Sequence, residues 1–170
     1  MEIAYLSSTS LRIKGKQTTI VVNPVDKAAS YSAAIVFQLP ETKIKPIDNV
    51  LIINGPGEYE IGGMKISGTY YDANIVYTFS VDEVRVLLVD NKTLSKYHQK
   101  LQDMDIAVVS ITSDDDPSVA TNVASAAVIY TGEKAEEVVN KTIKEGVTKA
   151  NKFSTTKDKL PTEVQQILLQ

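Results

Sequence analysis

The 170-residue chain has no cysteine and only one histidine. The first absence excludes disulfides, cysteine-held zinc, iron–sulfur clusters and thiol catalysis. The second excludes any site that needs two imidazoles, and with it most zinc enzymes. A cysteine-free chain fits a reducing compartment. The opening Met1-Glu2-Ile3-Ala4-Tyr5-Leu6 turns polar at Ser7 and has neither the basic start nor the apolar stretch of a signal peptide. No apolar run approaches the roughly 20 residues of a spanning helix, so the expectation is a cytoplasmic protein without a membrane role. Charge of one sign is also scarce. Eighteen basic against 21 acidic residues leave a net charge of −3, spread along the chain. Basic and aromatic residues do not interleave on any face, so no nucleic-acid partner is expected.

What remains is a globular composition, 43% hydrophobic and 23% charged, which excludes disorder, coiled coil and collagen. No repeat, low-complexity tract or linker interrupts it, and one domain over residues 1–170 is expected. Short alternating or β-branched runs separated by Gly, Pro and Asn predict strands at 2–6, 10–14, 18–22, 33–37, 50–53, 58–61, 64–67, 74–80 and 84–89, with hairpin turns at Gly15-Lys16 and Gly62-Gly63. An antiparallel meander would follow. After Asp90 the period changes. Leu94, Tyr97 and Leu101 mark a short helix, and Asp105 to Ile111 reads as a strand buried on both faces. Asp116-Pro117 caps a helix with Val119, Ala120, Val123 and Ala124 inside, and Ala127 to Tyr130 is a strand. Glu133 to Glu145 is a third helix, closed by Gly146. Residues 152–155 read as a strand, and 164–169 as a strand or a helix.

The order of these pieces resembles the metallo-β-lactamase fold superfamily, in particular a small branch similar to ascorbate-phosphate lactonases and zinc-dependent hydrolases. Three strings carry the resemblance. The first runs from Met1 to Leu6 and on through Leu11 to Lys16 and Thr19 to Pro24; the second, the most specific, is Gly55-Pro56-Gly57-Glu58-Tyr59-Glu60 with the hairpin after it; the third is Leu88-Val89-Asp90-Asn91 followed by Leu94 to Leu101 and Asp103 to Val109. The resemblance covers nearly the whole chain. It implies a shortened α/β (α+β) fold, an αββα four-layer sandwich of two mixed sheets with outer helices, and a ligand site at one edge. That family holds two zinc or manganese ions with an HxHxDH motif, two further histidines and a bridging aspartate. Here the motif's place reads Gln38-Leu39-Pro40-Glu41-Thr42-Lys43, the next ligand position reads Tyr71-Asp72, and the last strand ends Ile129-Tyr130-Thr131. Asp90 alone matches a ligand position, that of the bridging carboxylate. His98 matches none.

Each candidate has two readings. Asp90 is either a vestigial ligand, with Asp72 as a second carboxylate, or a cap on the amides around Thr93. Glu58 and Glu60 share one strand face, as an acid–base pair or as solvated hairpin residues. Gly55-Pro56-Gly57 is an anion nest or a tight connection. Asp114-Asp115-Asp116 lacks the Gly and Glu of a calcium loop and reads as a helix cap. Tyr70, Tyr71 and Tyr130 either line the family's pocket or fill the core. The expectation is therefore a catalytically degenerate relative, with no catalytic residue and no cofactor, acting as a binding or assembly protein. Its partner would be another protein, a copy of itself or an active paralogue. The alternative is a hydrolase with an atypical carboxylate site around Glu41, Glu58, Asp72 and Asp90. The lining of the degenerate site is expected from Glu58, Tyr71, Asp72, Asp90 and Tyr130.

Overall fold

Alternation of apolar residues decides which face of each strand is buried, and here it produces two sheets that share one core. The computed structural model describes residues 1–24, 31–37, 50–101, 103–143 and 145–170. In the first sheet β1 (Glu2–Ser7), β2 (Ser10–Lys14) and β3 (Thr19–Val22) pair antiparallel, with Ile3, Leu11, Ile13, Ile20 and Val22 on one face. β4 (Ala33–Ile35) and β5 (Leu51–Ile53) then join in parallel, so the expected meander stops at β3. Parallel neighbours cannot be joined by a two-residue turn, so local alternation does not announce this pairing.

The second sheet begins as a true meander of β6 (Gly57–Ile61), β7 (Met64–Tyr71), β8 (Asn74–Val81) and β9 (Val84–Asp90). The Gly62-Gly63 turn is as expected, with both residues at positive φ. β10 (Met104–Ser110) and β11 (Ala124–Thr131) continue in parallel, followed by β14 (Gln165–Leu169) and an edge strand, β12 (Val147–Ala150). The segment 164–169 is thus a strand. β12 was not expected, because Val-Thr-Lys-Ala is too short and polar to show a period. β13 (Lys152–Ser154) crosses back to the edge of the first sheet beside β1. Among the described residues the sheets have six and eight strands, and both are mixed.

The six-stranded sheet packs Ile3, Ile13, Ile20, Ile35 and Ile53 against Ile66, Tyr77, Phe79, Val86, Leu88, Val108 and Ile129 of the larger sheet. The opposite face of the larger sheet, through Leu87, Val89, Ala107, Val109, Val128 and Tyr130, is covered by α1 (Asn91–Tyr97), by 3₁₀ turns at His98–Lys100 and Pro117–Asn122, and by α2 (Ala135–Thr142). Among the described residues, the helices cover this outer face alone. Two elements are shorter than the sequence pattern suggests. Asp116 caps the Pro117 turn by accepting from Ser118 N at 2.8 Å, but the turn ends at Asn122 and Ala124 already belongs to β11. α2 starts at Ala135 and is capped by Ile143, so Gly146, at φ +83, redirects the chain into β12 and does not close the helix.

Candidate functional site

The parallel strands β9, β10 and β11 end in register. Leu88, Val108 and Ile129 form one tier, and the next along the same face is Asp90, Ser110 and Thr131. Because a strand alternates faces and Leu88, Val108 and Ile129 all face the other sheet, this last tier does too. It is polar where every earlier tier is apolar. The C-terminal edge of parallel strands is also where open α/β sheets bind ligands.

Asp90 is only 1% exposed. Its Oδ1 accepts from Thr93 N at 2.9 Å, capping α1. Its Oδ2 is buried with no hydrogen-bond partner, and the Oγ1 of Thr131, a residue 4% exposed, is in the same condition. None of the ion pairs among the described residues uses Asp90. Ser110, between the two orphaned oxygens, is half-buried.

Three tyrosines stand at the same end of the sandwich. Tyr77 pairs with Leu88 across β8 and β9, one tier inside Asp90, and its hydroxyl donates to Gly55 O at 3.4 Å. Tyr59 donates to the same carbonyl at 3.3 Å. Burial, and then the neighbouring Tyr59 and Tyr70, push the Tyr77 hydroxyl up to about 12. Tyr70, on the face shared with Gly68 and Ile66, is 56% exposed.

The remaining sequence candidates are dispersed. Asp72 sits at an exposed turn and accepts from Lys96 Nζ at 2.6 Å, a bond that holds its carboxyl below the usual range. Tyr71 packs against Tyr97 on the outer side, with ring centroids 5.4 Å apart. Tyr130 is fully buried in the helix-side core, its hydroxyl donating to Gln166 Oε1 at 2.8 Å; burial, and then Asp116, raise its pKa. It therefore points away from Asp90. Glu58 and Glu60 do share a face, but it is the outer one, where they line an open groove of about 570 Å³ with Lys65, Ser67, Ser80 and Arg85. Glu41 lies outside the described residues, as does the whole of 38–49. His98 ends α1 with Nδ1 3.3 Å from Ser95 O. Thr131 was missed because a threonine at a strand end carries no signal alone; its register with Asp90 is what singles it out.

A dinuclear metal centre of the kind the fold implies needs several imidazoles and carboxylates converging on each ion. Among the described residues no group of three or more His, Cys, Asp or Glu is so placed. The donor set does not fit that centre, and no step is derived through it.

No protein-family model matches the chain. No curated protein matches it either. Solved structures do. A Thermotoga maritima protein, provisionally named a Zn-dependent hydrolase of the metallo-beta-lactamase superfamily, is similar with a TM-score of 0.71 at 18% identity, covering 99% of this chain and 100% of that one. A Parabacteroides distasonis protein, provisionally named a metal-dependent hydrolase, is similar with a TM-score of 0.59 at 14% identity, over 99% of this chain and 93% of the other. The fold is therefore that of the metallo-β-lactamase superfamily. No helix among the described residues is long and apolar enough to cross a membrane.

Proposed function

We propose that this chain is a degenerate member of the metallo-β-lactamase fold, a pseudo-enzyme that works in the cytoplasm by binding a ligand or partner at the former catalytic edge. One observation carries the reading: among the described residues, the three candidate carboxylates point in different directions. Asp90 faces the inter-sheet core and caps α1, Asp72 is tied to Lys96 at an exposed turn, and Glu58 lies on the outer face. With one histidine in the chain, and that one at the end of α1, no second imidazole can complete a zinc set. Fold alone does not carry activity, and the neighbours' names describe those proteins.

Elemental analysis of the purified, untagged protein after dialysis against trace-metal buffer tests the proposal. Zn, Mn, Fe and Mg are expected far below one per chain. One stoichiometric metal that Asp90→Ala removes would overturn it and make a carboxylate-held hydrolase the better reading.

A further inference from the structure

Two of the three buried side-chain atoms without a hydrogen-bond partner among the described residues lie in one tier, on Asp90 and Thr131. The third, Arg12 Nε, belongs to a side chain already paired with Glu2 at 2.8 Å. Neighbouring strands are about 4.8 Å apart, so Asp90, Ser110 and Thr131 set a row of three oxygens across roughly two strand spacings. The row meets solvent at half-buried Ser110.

The chemistry of this row is one-sided. A carboxylate accepts and never donates, and both hydroxyls can accept as well. No cation among the described residues pairs with Asp90. An anion would be repelled, and a divalent metal would find a single carboxylate to offset its charge. A group that brings positive charge and several N–H donors satisfies these demands. We propose that the Asp90–Ser110–Thr131 row binds a protonated primary amine. This rests on the metal-free reading above and names its ligand class.

The amine comes either from a small free molecule or from a lysine of a protein partner, and the test separates the two. The ¹⁵N-labelled full chain is titrated with n-butylammonium chloride and, separately, with Nα-acetyl-lysine amide, following the amides of Ser110 and Thr131. Saturable shifts are expected. Tighter binding of the lysine amide assigns a protein lysine, and tighter binding of butylammonium a free amine. Asp90→Asn should weaken binding at least about tenfold, since a charge-assisted bond becomes a neutral one. This variant should stay folded, because asparagine caps helices as well as aspartate does. Thr131→Val should weaken it by about threefold. No saturable shift with either amine, or shifts unchanged in Asp90→Asn, would overturn the proposal while leaving the metal-free reading standing. Saturable shifts of the same amides with Zn²⁺ or Mn²⁺, lost in Asp90→Asn, would overturn both.

Discussion

Asp105, at the start of β10 on the end of the sheet away from the polar tier, should be the most costly carboxylate in the chain to remove. It is 4% exposed and accepts three bonds: from Arg85 N at 2.8 Å, from the Arg85 guanidinium at 3.4 Å and from Lys157 Nζ at 2.9 Å. It thereby ties β9, β10 and the segment that leads into β14. Asp105→Ala strands the Arg85 amide, while the two cations, about half exposed, recover solvent. Breaking a fully buried pair costs about 3–5 kcal/mol, and exposed pairs are worth about 0–1. With one buried partner and two wet ones, the loss should be about 2–3 kcal/mol, or about 5–10 °C in Tm for a chain of this size. Asp105→Asn keeps an acceptor for the amide and should cost about half as much. Burial alone would raise the Asp105 pKa, but the Arg85 amide, Lys157 and the Arg85 side chain together hold it below 3.8. A depressed folded-state pKa means that the stabilisation is complete above 3.8 and disappears as pH falls through the lower folded value. Urea unfolding of wild type and Asp105→Ala should therefore show a constant gap from pH 7 to pH 5 that closes below pH 3.8. A gap under about 1 kcal/mol at pH 7, or one unchanged in strong acid, would refute the account.

Two further outcomes follow from single atoms. A Cβ on Gly68 would lie 2.9 Å from both Gly55 O and Tyr77 Cε1, so Gly68→Ala should destabilise by about 1–3 kcal/mol, whereas Gly55→Ala, with nothing within 4 Å, should leave Tm nearly unchanged; equal melting of the two would refute this packing. Thr131→Val removes a buried hydroxyl without a partner and should raise stability by about 1 kcal/mol in ligand-free buffer, a rare sign for a core substitution; a fall in Cm in urea unfolding would show that the hydroxyl is satisfied.

The legible parts of this sequence are those in which one residue, or one short period, decides the structure. The alternation in Ser10–Lys14 gives β2 to the residue, Gly62-Gly63 gives the turn after β6, and Asp116-Pro117 gives a capped start. What was not legible depends on partners distant in the chain. The parallel joining of β4 and β5 is a matter of crossover, which no local pattern encodes. α2 stops at Thr142 although Ile143 continues its apolar face, and β12 becomes a strand only by pairing with β14. At the site, Asp90 stood out as a carboxylate ending an apolar strand. Tyr130 was expected beside it, but period two places Tyr130 with Val128 against the helices and turns Thr131, one residue on, toward the core between the sheets.

The same distinction gives the Gly-Pro-Gly-Glu-Tyr-Glu string its place in the scaffold. That string connects β5 in one sheet to β6 in the other, so it closes one side of the sandwich. Its Gly55 carbonyl receives the hydroxyls of Tyr59 and Tyr77 and presses on Gly68, while the Tyr77 ring stands edge-on to Phe37 with centroids 6.4 Å apart. Each of these contacts joins scaffold to scaffold, and none needs a metal. A buried hydroxyl or carbonyl left without its partner costs free energy in every folded molecule, whatever the protein does. The hairpin is thus constrained by folding. A match to this string reports the sandwich, and the chemistry has to be read from the Asp90 tier.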